Sequence, residues 1–151
     1  MNKTALTKDN QLNWYLLFTV WLIAACGTLT SLFFSEIVKV PVCVLCWYQR
    51  IALYPLVLIL PLGLFPYDSK IIRYAGILAI TGWLIALYHV LLVAGIIPET
   101  AQPCVQGIPC SDTHVQLLGF LSIPVMSFIL FSLIGSILGY TYLKIKRNNY
   151  E

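Results

Sequence analysis

YAGILAITGWLIALYHVLLVAGIIP, residues 74–98, contains no Asp, Glu, Lys or Arg, and it decides what kind of chain this is. A helix rising about 1.5 Å per residue needs about 20 apolar residues to cross a hydrocarbon core. The stretch is longer than that. Taken alone it could be the buried helix of a soluble protein, but three more uncharged stretches accompany it: Trp14 to Phe34, Ile51 to Phe65 and Val115 to Leu143. Four of them in 151 residues leave too little polar surface to solvate a globule. The composition, 60% hydrophobic and 10% charged, lies outside the range of soluble domains for the same reason.

The Ile51 stretch reaches membrane length only if Cys46 to Arg50 form its first turn, which places those residues at the membrane surface. The expected fold is therefore all-α: a single transmembrane domain over 1–151, an integral membrane four-helix up-down bundle with helices at about 14–34, 47–65, 71–97 and 115–143. Loops at about 35–46 and 98–114 join them on one side. Gly76, Gly82, Gly119 and Gly135 are expected to allow close helix approach, and Pro55, Pro61 and Pro124 to bend helices.

Lys and Arg in short loops favour the cytoplasmic side. Lys3, Lys8, Lys70, Arg73, Lys144, Lys146 and Arg147 all fall on one side and only Lys39 and Arg50 on the other. Both termini are thus expected to be cytoplasmic, with the two loops outside the plasma membrane. The net charge of +3 is then a topology signal with some attraction for anionic lipid, and no nucleic acid partner is expected. Ile23-Ala24-Ala25-Cys26 resembles a short lipoprotein cleavage site, but Leu29, Leu32, Phe33 and Phe34 complete a membrane-length helix where a lipoprotein would continue into a polar tether. Cys26 is expected to be a small buried apolar residue.

The other four cysteines form two pairs in the outer loops, Cys43-Val44-Leu45-Cys46 and Cys104-Val105-Gln106-Gly107-Ile108-Pro109-Cys110. In an oxidising compartment such pairs are expected to be disulfides, and Gly107 beside Ile108-Pro109 supplies a turn for the second. Two structural disulfides would explain them, but a bridge over two intervening residues restrains little unfolded-chain entropy. A four-cysteine zinc site would also use them, against the oxidising compartment, and no metal is expected. A redox relay is favoured by the residues after Cys46. Cys46 and Arg50 are four apart on a helix that starts here, so a Cys46 thiolate would be stabilised by the helix N-terminus and by a permanently charged guanidinium. An arginine at this membrane boundary should have a partner, and the thiolate and an anionic reduced acceptor are expected to supply it. Phosphate loops, paired carboxylates and nucleophile-base motifs are absent.

At these residues the sequence resembles the DsbB family of disulfide-forming membrane proteins, and most of all its short Gram-positive, BdbC-type members. The resemblance rests on Phe34-Ser35-Glu36-Ile37, Cys43 to Ile51, Tyr54-Pro55-Leu56, Tyr88-His89, Pro103 to Ser111, Gly119-Phe120 and Ile123-Pro124. It implies a protein-disulfide:quinone oxidoreductase whose catalytic residues are Cys43, Cys46, Cys104 and Cys110. A reduced extracytoplasmic thioredoxin-like thiol oxidase attacks the Cys104–Cys110 disulfide, Cys110 exchanges with Cys43, and the freed Cys46 thiolate contacts quinone. Menaquinone follows from the Gram-positive resemblance. Arg50 would polarise the quinone, Gln49 would bond it or a neighbouring helix, and His89 would offer a proton route or an interhelical hydrogen bond. His114 would be an exposed interface residue. With five residues between Cys104 and Cys110 there is no room for the amphipathic segment of longer relatives, and Pro103 and Pro109 would hold the chain extended against the partner. Two rivals remain: a quinone reductase like the vitamin K epoxide reductase family, in which the membrane pair follows the loop pair instead of preceding it, and a non-catalytic scaffold stapled by disulfides.

Overall fold

The computed structural model describes residues 3–39, 42–65, 67–96 and 123–148, with side chains from residue 10 onward. Helix α1 runs Lys3–Leu32 and widens into a π-helical turn, Phe33–Ile37; α2 runs Val44–Leu64, α3 Ile71–Val93 and α4 Ile123–Asn148. Among the described residues all four are long and apolar enough to cross a membrane. Neighbours pack in a closed ring, α1 on α2, α2 on α3, α3 on α4 and α4 on α1. Cys104, Cys110, His114, Gly119 and the expected start of the last helix at 115 lie outside the described residues.

The packing signal is clearest on α3. Ile72, Ala75, Ala79, Gly82, Ala86 and His89 are buried, at alternating steps of three and four. That heptad spacing puts them on one stripe along a helix, and small side chains there let the partner helices come close. Lipid tails are as apolar as leucine, so this seam is held by van der Waals fit and not by escape from water. Phe131 of α4, 1% exposed, fills the space above Gly82, where a Cβ would meet its ring. The outward faces are the reverse of a soluble protein: Leu29, Leu58, Leu62 and Ile77 are 64–72% exposed.

Of the glycines expected to permit close approach, Gly82 does so, whereas a Cβ at Gly76 or Gly135 would meet nothing within 4 Å. The tight positions are instead Gly27, against Leu130, and Gly63, against Ile71. Pro124 is the second described residue of α4, and the residues ahead of it, on which its expected bend depends, lie outside the described residues. Pro61 does interrupt a ladder. It cannot donate to the carbonyl of Val57 four residues back, and the indole N–H of Trp21 on α1 donates to that carbonyl at 3.1 Å. Trp14 likewise donates at 3.3 Å to the carbonyl of Leu64, one of the orphans at the end of α2.

Helix ends matter because they place the site. The third helix stops at Val93, short of 97, because Gly95 takes φ 73° and Ile96 N–H turns back to the Leu91 carbonyl at 3.1 Å, a Schellman ending. The second begins at Val44, three residues ahead of 47, with Cys43 as its N-cap. The C-terminal part of α1, the start of α2, the end of α3 and the start of α4 therefore meet at one end of the bundle, opposite Lys70, Arg73 and Lys144 to Arg147.

Candidate functional site

Cys43 is extended, at φ −71° and ψ 163°, and its sulfur caps α2 by accepting the Cys46 N–H at 3.3 Å. A cysteine in this role does what Ser or Asp does at most N-caps: it satisfies an orphan donor and faces the positive end of the helix. The Sγ of Cys46 comes back to 2.7 Å from that of Cys43, and Nε2 of His89 lies 3.8 Å from it. Three donors thus converge on one sulfur. They hold the Cys43 thiol down at about 4, the Cys46 thiol first, then His89 and the Cys46 backbone, against burial, which pushes it up. The sequence places the stabilised thiolate at Cys46 beside Arg50; the structure concentrates hydrogen bonds on Cys43, because the N-cap position gives it a backbone donor as well as side-chain ones.

His89 is fully buried, and its roles follow from the chain of groups behind it. The hydroxyl of Ser127, on α4, donates to Oε1 of Gln49 at 2.7 Å. This turns the Gln49 amide so that its NH2 group faces Nδ1 of His89 at 3.3 Å. Nδ1 is then the acceptor and Nε2 carries the hydrogen, directed at Cys43. Three helices are tied by one line of polar groups, each satisfied by the next, as a bilayer interior requires. Sequence reasoning expected His89 and Gln49 as candidates; it missed Ser127. Its signal in the chain is weak, because Ser127 is one of three serines on α4, with Ser132 and Ser136.

Arg50 also finds a different partner. Its Nε donates to the Ser31 hydroxyl at 2.9 Å and a terminal nitrogen to the Ser31 carbonyl at 3.0 Å, while its guanidinium carbon lies 5.6 Å from the centre of the Trp47 ring. A hydroxyl, a carbonyl and a ring face thus hold the guanidinium at the wall of the cavity it shares with Cys46. Ser31 stands just ahead of the π-helical turn, whose Val38 N–H reaches the Phe33 carbonyl at 3.2 Å. Single π turns inside helices recur at functional sites.

Between α1 and α4 at this end lies a cavity of about 460 Å³. Apolar side chains such as Leu22, Phe34 and Leu130 form most of its wall, and Cys46, Arg50, Gln49 and Ser127 are among its polar groups, with Thr30, Ser31 and Ser35. A mainly apolar pocket of a few hundred Å³ with few converging polar groups is the usual form of a small-molecule site. Cys26 is exposed and lines the same cavity, so it is not the buried packing residue that its position in an apolar run implies. Sulfur, a polar relay and an apolar chamber therefore meet: Cys43 looks toward His89, and Cys46, half-buried, forms the boundary with the cavity.

Comparison with known proteins agrees with this chemistry. The sequence profile of the family described as disulfide bond formation protein DsbB matches residues 12–141. The chain is 43% identical over 120 residues to disulfide bond formation protein C of Bacillus subtilis, covering 78% of this chain and 86% of that one. It is 40% identical over 134 residues to probable disulfide formation protein C 2 of Bacillus anthracis, covering 89% and 95%. Similarity extends to a probable disulfide formation protein of Chlamydia muridarum, 40% identical over 124 residues, covering 82% and 90%. No solved structure matches the chain.

Proposed function

The chain belongs to the DsbB family of disulfide bond formation proteins, a multi-pass plasma-membrane disulfide oxidoreductase, and from that premise we propose that it reoxidises an extracytoplasmic thioredoxin-like protein and passes the electrons to a membrane quinone. Both termini are cytoplasmic in this reading, and the Cys43 end of the bundle faces out. The observation that carries it is the position of Cys46, shared between the Cys43 sulfur at 2.7 Å and the wall of an apolar cavity that also holds Arg50.

The reaction proceeds through three exchanges that balance. A dithiol partner reduces the Cys104–Cys110 disulfide and leaves oxidised. The Cys104 and Cys110 thiols then reduce the Cys43–Cys46 disulfide and close again. Finally Cys43 and Cys46 re-form their disulfide and give up two electrons and two protons. Quinone supplies the two-electron, two-proton acceptor for that last step, menaquinone in this reading. Attack at Cys43 releases Cys46 at the cavity wall. Arg50, fixed by Ser31, presents positive charge where a reduced acceptor becomes anionic. His89 holds a hydrogen against Cys43, so Cys43 is a stabilised leaving group when Cys104 closes on Cys110 and releases it, and Gln49 and Ser127 keep the ring in that tautomer. The cavity fits the ring of a quinone by size and by its apolar walls.

A non-catalytic stapled scaffold would give no reason to place Cys46 against a chamber with a fixed cation. The order of the pairs, Cys43 and Cys46 before Cys104 and Cys110, separates the chain from a reductase of the vitamin K epoxide type. The test is anaerobic mixing of purified protein with a reduced thioredoxin-like protein and a soluble quinone, following quinone loss. Turnover by wild type and none by Cys46→Ser supports the relay. Failure of both, with helical spectra intact, overturns it.

A further inference from the structure

Cys43, Cys46 and His89 place three donor atoms within 4.8 Å of one another. A tetrahedral zinc ion with bonds of about 2.3 Å to sulfur and about 2.0 Å to nitrogen separates its ligand atoms by about 3.5 to 3.8 Å. The Cys43 Sγ to His89 Nε2 distance is 3.8 Å already. The two sulfurs, at 2.7 Å, need to part by about 1 Å, a rotation of the half-buried Cys46 side chain toward the cavity it borders. We propose that the dithiol form of this protein binds a divalent cation of the zinc class through Cys43, Cys46 and His89, with a fourth position open to the cavity.

The surroundings suit a metal. The Cys46 N–H donating to the Cys43 sulfur stabilises a Cys43 thiolate ligand through one of its lone pairs and leaves the others for a metal. Ligating histidines are generally held through their other ring nitrogen, and Gln49 stands at Nδ1 of His89 at 3.3 Å. To free Nε2 for a metal, the hydrogen must move to Nδ1. Rotation of the Gln49 amide by half a turn accomplishes this, presenting its oxygen to Nδ1 and its NH2 to the Ser127 oxygen, which can accept as readily as donate. Two thiolates and a divalent ion sum to zero charge, which favours the complex at the membrane boundary. Binding displaces any thiol protons still on Cys43 and Cys46, and no electrons move.

The site exists only in one redox state, since a disulfide leaves neither sulfur as a thiolate. A bound ion would in turn keep the disulfide from closing, so the cation arrests the protein in its reduced form. The inference needs the dithiol and not the acceptor, so it can fail or hold independently of quinone turnover.

The experiment is titration of Co2+, as a spectroscopic stand-in for Zn2+, into full-length protein in lipid nanodiscs, anaerobically reduced. One equivalent should give the thiolate-to-cobalt band and the intense visible bands of a tetrahedral ion, and Zn2+ should bleach them. The oxidised wild-type protein should give neither, a control that needs no variant. His89→Ala, with His89→Gln beside it, should weaken binding about tenfold or more, and the Cys104→Ser/Cys110→Ser double variant should bind as wild type does. Bands that persist in the oxidised protein, that require Cys104 and Cys110, or that both His89 variants leave unchanged in strength and affinity overturn the proposal, as does the absence of bands.

Discussion

Replacing Trp21 with Phe keeps an aromatic ring between α1 and α2 but removes the indole N–H that donates to the Val57 carbonyl at 3.1 Å. In most helices this loss would be small, because that carbonyl would still accept from the backbone four residues on. Here the residue four on is Pro61, so the variant leaves a carbonyl at membrane depth with no donor. An unsatisfied buried group costs about 1–3 kcal/mol, and interhelical hydrogen bonds measured in membranes contribute about 0.6 kcal/mol on average with a maximum near 1.7. The two ranges meet at about 1–2 kcal/mol. Restoring the ladder should cancel it: in Pro61→Ala the new N–H can reach Val57, and Trp21→Phe in that background should cost no more than about 0.5 kcal/mol. The coupling across the cycle is then about 1 kcal/mol. Reversible unfolding in mixed micelles with increasing dodecyl sulfate, followed by far-ultraviolet circular dichroism, measures all four proteins. Equal losses for Trp21→Phe in the two backgrounds would refute the idea that the indole replaces the missing proline donor.

Ser31→Ala removes the acceptor of the Arg50 Nε bond at 2.9 Å, and a loss of about 1–2 kcal/mol in holding the guanidinium should raise the KM for quinone about 5- to 30-fold; steady-state quinone reduction checks this, and an unchanged KM would place Arg50 outside acceptor binding. Gly82→Val should destabilise the bundle by about 1–3 kcal/mol because its side chain meets the Phe131 ring, whereas Gly76→Ala, with open space around it, should be neutral or slightly stabilising in the same unfolding assay. Cys43 is depressed from 9.0 to about 4, so the reduced protein should keep thiolate absorbance near neutral pH and lose it as pH falls through about 4. The same shift makes the Cys43 contribution to the stability of the folded dithiol grow as pH rises from about 4 toward 9; stability that rose on acidification across that window would reverse the assignment. Ser127→Ala should move the thiolate absorbance midpoint upward if the Gln49 amide is what fixes the His89 tautomer, and no movement would break that link.

The four spans were legible because a bilayer imposes length and apolarity on any helix that crosses it, and both are visible in stretches such as 74–98. The Cys43 to Arg50 run was legible because its groups lie within two turns of each other. What escaped were the contacts that depend on which way each helix faces. Helices apolar on every side carry little amphipathic signal, so nothing local distinguishes Gly82, packed under Phe131, from Gly76, which faces open space. Ser31 and Ser127 approach Arg50 and Gln49 from 19 and 78 residues away, distances over which composition carries no register. Cys26 departs from expectation for the same reason: an apolar run fixes depth in the membrane but not the direction in which a side chain points. The start of α2 differs because uncharged length marks only the part of a helix inside the bilayer, and a cysteine cap is not among the usual start signals.

The stripe from Ile72 to His89 also works as a ruler. Its steps of three and four mean that each residue keeps its heading only while the count along α3 is conserved. Inserting or deleting one residue between Ala79 and His89 would swing the imidazole by about 100°, away from Cys43 and toward lipid or a different neighbour. Adding seven would restore the heading but carry the ring about 10 Å along the axis, beyond the sulfur. A change of length within this part of α3 therefore costs the site its imidazole even where the helix itself stays intact.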